Sequence, residues 1–162
     1  MAIRSPLVIG ADGLPQQLQS GDSISAATNA PSIRSVTNGE SSAAITIGMP
    51  VYASAADTVK RAQANAKSTS KLAGVVFDTT IAAAASGNIA QSGVIVATTT
   101  QWDAVAGTTG GLSFNTLYFL DPTTAGKITA TPPTTAGQCN VIVGMAISTT
   151  ELELQISQPI LL

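Results

Sequence analysis

Residues 140–156 read NVIVGMAISTTELELQI. In the last six of these, Leu152, Leu154 and Ile156 alternate with Glu151, Glu153 and Gln155. Successive side chains of an extended chain point to opposite faces, so this alternation predicts a half-buried strand with its apolar side inward. The upstream run NVIVGMAI is apolar on both faces and reads as a more deeply buried strand. Between them, Ser148-Thr149-Thr150 is a short polar link suited to a hairpin.

The same signals recur along the chain. PLVIG, SIRSV, AAITIG, PVYAS, LAGVVFD, GVIVAT, TLYFL and KITAT are short apolar runs, most of them flanked by Gly, Pro, Asn or Asp. Many short strands with frequent turns predict an all-β domain, a sandwich or barrel of short antiparallel strands with an extended N-terminal arm. The alternation places Val94, Val96, Val141, Val143, Leu152, Leu154 and Ile156 inside. Helix is scarce. AADTVKRAQANAK can present Val59, Ala62 and Ala66 on one helical face. TTQWDAVAG can form a turn around Trp102 with Thr100 as its cap. Neither is long enough to organise a core.

An internal echo bears on the first of these. Residues 50–82 can be laid on residues 116–152, so that Tyr52 meets Tyr118 and Arg61 meets Lys127. With a small gap, Gly74 meets Gly144 and Thr79-Thr80 meets Thr149-Thr150. Each copy reads strand, turn, strand, polar loop, strand. This favours two related β-motifs in one domain over residues 41–162, and a strand rather than a helix for TVKRAQA. Residues 1–40 differ. They are rich in turn signals, including Ala11-Asp12-Gly13, and carry only short apolar runs. They read as a docking arm whose contact residues are Leu7, Val8, Ile9, Leu14, Ile33 and Val36.

Composition narrows the function. Of 162 residues, 44% are hydrophobic but only 10% are charged, and the net charge is −2. The charged share is well under half of the ~25% usual in soluble domains, so much of the exterior is Ser, Thr, Asn, Gln, Gly and Ala. Such a surface costs little to desolvate and suits packing against other protein. The basic residues Lys60, Arg61, Lys67 and Lys71 are diluted by small polar neighbours and read as a solvated strand or loop, not a nucleic-acid site. There is no His, and the one thiol, Cys139, precedes an apolar run and reads as a buried strand residue. Zinc and copper sites need clustered His or Cys, and an activated Ser or Thr needs a base. The acids Asp12, Asp22, Asp57, Asp78, Asp103 and Asp121 fall in turns, where their side chains cap backbone N–H groups. GTTGG at 107–111 lacks a phosphate-loop Lys and reads as a flexible link. The expectation is a protein without enzymatic activity, cofactor or metal, and without a nucleic-acid or membrane partner. The opening residues carry no signal-peptide pattern, so synthesis in a cytoplasm is expected.

Several stretches carry a resemblance. LVIGADGLPQQLQSGDSI, at 7–24, looks like a strand–turn–strand of tailed-bacteriophage virion proteins. Residues 111–154 are similar to a module repeated in such proteins: Gly111-Leu112, Tyr118 to Leu120, Thr124 to Gly126, Thr131 to Pro133, Ala136-Gly137, Val143 to Ser148 and Thr150 to Leu152. GMPVYASAADTVKRAQANAKSTSKLAGVVFD, at 48–78, resembles small capsid decoration, or cement, proteins. The resemblance implies a β-rich, oligomeric virion protein, a dimer or trimer on the capsid surface whose partner is the major capsid protein. Phage head or tail fibres share the β-module, and a role in host attachment is the alternative. The short chain and the absence of heptads favour decoration.

Overall fold

The computed structural model describes residues 30–162 and the strands Leu7–Ile9 (β1) and Pro15–Gln17 (β2). The remaining strands are β3 (Ser32–Asn38), β4 (Ile45–Thr46), β5 (Pro50–Ala55), β6 (Thr58–Arg61), β7 (Leu72–Val76), β8 (Thr80–Ile81) and β9 (Ser86–Val96). After these come β10 (Leu117–Leu120), β11 (Ile128–Thr129), β12 (Cys139–Asn140), β13 (Ile142–Ala146), β14 (Glu151–Leu154) and β15 (Ile160–Leu161). Helix among the described residues is confined to α1 (Lys67–Ser70) and α2 (Thr99–Ala106).

Nine strands form one sheet in the order β11-β10-β13-β14-β9-β3-β6-β5-β7, and β7 also pairs with β9. That last pairing closes β9, β3, β6, β5 and β7 into a five-stranded barrel. The expected all-β architecture is therefore a barrel with a four-strand extension. Its pairings are antiparallel except one: β3 and β6 run parallel, with Thr37 opposite Thr58 and Asn38 opposite Val59. The barrel includes this parallel pair, which sequence periodicity does not reveal.

The strand β9 serves both halves. Its residues up to Ser92 pair with β3, and Gly93 to Val96 pair with β14. The change of partner occurs at Gly93, whose φ is +94°. A Cβ there would lie 2.6 Å from Pro31 Cα, so the close approach of the incoming chain requires glycine. The two halves hold two cores. Val36, Ile45, Val51, Val59, Val76, Ile81 and Ile89 fill the barrel. The larger core lies under the extension and includes Ile95, Trp102, Val105, Tyr118, Leu120, Val143 and Leu152.

Several expectations need correction. TVKR is strand β6, as the echo favours, and the two echoing stretches share one strand order: β6-β5-β7 and β11-β10-β13. Val141, Val143, Leu152 and Leu154 are buried as expected, but Ile95, not Val94 or Val96, points inward. Val96 is 60% exposed, Val94 half-buried, and Ile156 half-buried. In GVIVAT both faces are apolar, so alternation gives no phase. Helix α2 does organise a core. Trp102 is fully buried, and the capping residue is Thr98, whose Oγ1 accepts the Gln101 N–H while Gln101 Oε1 accepts the Thr98 N–H. The arm boundary at residue 40 also moves. β3 is a barrel stave and its Val36 is core, so residues 32–38 belong to the domain.

Candidate interaction surface

Of the six residues read as arm contacts, Ile33 and Val36 lie on β3. Leu7, Val8 and Ile9 make up β1, which pairs antiparallel with β2 so that Ile9 lies opposite Pro15. Leu14 lies outside the described residues. Ile33 is 43% exposed on β3, whereas Val36, three residues on, is sealed in the barrel and is unable to touch a partner. Among the described residues the β1–β2 ribbon joins no strand of the nine-stranded sheet.

Several acidic side chains are committed to structure. Asp103 accepts N–H bonds from Gly111 at 2.7 Å and Gly110 at 3.0 Å, and the Thr108 hydroxyl at 3.0 Å. The Gly111 N–H above all, with Gly110 and Thr108, holds its carboxyl below the ordinary carboxylate range, against the opposing effect of burial. This pins the GTTGG stretch, which is thus a braced turn and not a free link. Asp121 accepts the N–H groups of Thr123 and Thr124. Asp78 accepts the Asn88 backbone and amide N–H groups. Asp57 departs from the turn-capping expectation by pairing with Arg34 at 2.6 Å. Glu40 Oε1 accepts both the Arg61 backbone N–H and its Nε–H, at 3.0 and 3.2 Å. A cleft of about 400 Å³ between α2 and the β10–β11 turn includes Asp103 and Asp121, and both are occupied by these turn bonds. Among the described residues no three His, Cys, Asp or Glu side chains gather as a metal-ion group. Cys139 is a free, fully buried thiol on β12.

No protein-family model matches the sequence, and no curated protein matches it.

The arrangement that stands out is a sheet face. Residues directly opposite one another on neighbouring strands share a side of the sheet. The inner rows are Tyr118–Gly144–Leu154–Gly93 and Ala146–Leu152–Ile95. The outer rows are Leu117–Met145–Glu153–Val94 and Glu151–Val96. The outer side is thus mainly apolar with two carboxylates. Phe114, 74% exposed, stands in the adjoining turn, where the Asn115 N–H bonds the Ala146 carbonyl. The sequence marked Glu151 and Glu153 as the solvent side, but not the apolar neighbours that share it. Those come from three other strands, and only the pairing register assembles them.

Among the described residues no helix is long and apolar enough to cross a membrane. The outer face offers apolar area and two carboxylates for contact.

Proposed function

We propose that the protein is a structural component of a bacteriophage virion, a capsid decoration protein that binds the outer shell and stabilises contacts between capsomers. The resemblance of residues 7–24, 48–78 and 111–154 to such proteins supports the class. The charge-poor exterior supports a role in packing against protein. The observation that carries the docking role is the β1–β2 ribbon. It pairs with no other strand among the described residues, and a two-stranded ribbon is marginal by itself in water. Ordering each of its residues costs roughly 1–2 kcal/mol of backbone entropy. Contact with a shell subunit, the major capsid protein, offsets that cost. With β3 assigned to the barrel, the docking arm is residues 1–29. A stable contact buries about 1,600 Å² in total, and many copies per particle add their effects.

Shells prepared with and without the protein test the reading. Bare shells should rupture at lower temperature or under milder osmotic shock, and added protein should restore them. Deleting residues 2–20 should release the protein from shells while its circular dichroism stays β-type. Full occupancy by the shortened chain overturns the arm. Bare particles that are equally robust but fail to attach to cells replace decoration with the fibre reading.

A further inference from the structure

We infer that copies of this chain associate head to tail: the acidic, apolar outer face of one copy receives the basic, apolar C-terminal end of the next. The inference deepens the oligomeric part of the proposed function and needs no shell to test it.

The acceptor is the outer face carrying Val94, Val96, Leu117 and Met145 around Glu151 and Glu153. The donor lies where the chain finishes. Ile160 and Leu161 form β15 against Cys139 and Asn140, and are 65% and 59% exposed. Next to them, Lys67, Ser68, Lys71, Gln158 and Pro159 line a cleft of about 430 Å³. Lys67 and Lys71 are exposed.

Charge selects the pairing. Among the described residues the ion pairs are Arg34–Asp57 and Arg61–Glu40. Lys127 donates to the Ala104 carbonyl, and Asp78, Asp103 and Asp121 hold turns or a neighbouring strand. The remaining cations, Lys60, Lys67 and Lys71, all belong to the barrel half, on β6 and around α1. The remaining side-chain carboxylates among the described residues, Glu151 and Glu153, both belong to the outer face of the extension. An apolar face with a negative centre repels its own copy across a two-fold axis, but complements an apolar surface edged with lysines.

The two surfaces are held apart within one chain. Beyond β14 the chain stays extended against the strand it pairs with: the Gln155 N–H bonds the Val143 carbonyl, the Ser157 N–H bonds the Ile142 carbonyl, and β15 pairs with β12. Glu153 lies opposite Met145, whereas Leu161 lies opposite Cys139, six positions earlier on the facing chain. The two surfaces thus sit at different points along the paired strands, and the proposed contact joins one molecule to the next. Such a heterologous contact repeats, closing a ring where the rotation allows.

The test uses the full-length protein without shells. Sedimentation velocity over a concentration series should show reversible assembly that weakens with added salt. Glu151→Lys with Glu153→Lys should raise the dissociation constant at least about a hundredfold, since like charges would then face each other. Lys67→Glu with Lys71→Glu should do the same. Ile160→Ser with Leu161→Ser alters only exposed side chains and should also dissociate the assembly. Mixed in equal amounts, the Glu151/Glu153 variant and the Ile160/Leu161 variant each keep one intact surface, so they should form a 1:1 dimer that grows no further. Wild-type protein that stays monomeric throughout overturns the inference. So do variants that assemble like wild type, or a mixture that gives no heterodimer. Shell binding is measured separately, so loss of self-association with retained shell occupancy refutes this contact and spares the decoration reading.

Discussion

The indole Nε1–H of Trp102 donates a 2.9 Å hydrogen bond to the Thr150 carbonyl. The same carbonyl accepts the Ala97 N–H at 3.0 Å. One oxygen in the β13–β14 turn therefore ties the end of β9 and the centre of α2 to the extension. Gly48 packs on the same indole, where an added Cβ would fall 2.8 Å from Trp102 Cζ3.

Trp102→Phe should cost about 1–2 kcal/mol through the lost hydrogen bond and a small volume change. Trp102→Ala should cost about 3–5 kcal/mol by opening a cavity in the larger core. Urea denaturation checks both. As the chain has a single Trp, native emission should be blue-shifted and move to the red on unfolding, reporting this core alone.

Neighbours on β9 should behave oppositely. Ile95 is fully buried and Val96 is 60% exposed. Ile95→Ala should destabilise by about 2–5 kcal/mol, whereas Val96→Ala should stay within about 0.5 kcal/mol. Equal costs would contradict the register Leu152↔Ile95.

Two glycines separate backbone conformation from crowding. Gly107 ends α2 with φ +66° and has nothing within 4 Å of an added Cβ. Gly107→Ala should cost roughly 1–2 kcal/mol, the left-handed penalty alone. Gly93→Ala meets both a φ of +94° and the Pro31 backbone, so its thermal midpoint should fall further than that of Gly107→Ala.

Acid should weaken the fold through two carboxylates. Asp103 has its pKa lowered, first by the Gly111 N–H. For Glu40, burial pushes the pKa up, but the Arg61 backbone N–H and guanidinium outweigh it and the net shift is downward. A folded pKa below the unfolded value means stability that is present above the unfolded pKa, ~3.9 for Asp and ~4.3 for Glu, and lost as pH falls through the folded value. Urea midpoints should therefore be insensitive to these two groups above about pH 5 and decline below it. Asp103→Asn should flatten part of that decline.

Where one face of a segment was polar, local pattern was enough. ELELQI specified a strand and put Leu152 and Leu154 inside, because charged and apolar side chains cannot exchange faces without burying the glutamates. The echo between residues 50–82 and 116–152 likewise carried the shared strand order, since repeated turn and strand signals recur in the same sequence.

Pattern did not reach features that depend on partners far along the chain. GVIVAT is apolar on both sides, so its phase was set only when Leu152 arrived opposite Ile95. SIRSV looked like part of an arm because its apolar content is small. Closure of the barrel between β9 and β6 buried Val36 and made it a stave. Trp102 sat in a helix too short to stand by itself, and its importance came from the β-strands packed around it. The outer face exists only as a register: Leu117, Met145, Glu153 and Val94 come from four strands. A single strand determines which of its own side chains share a side. Hydrogen bonding between strands decides which of them become neighbours, and that is a property of the folded sheet.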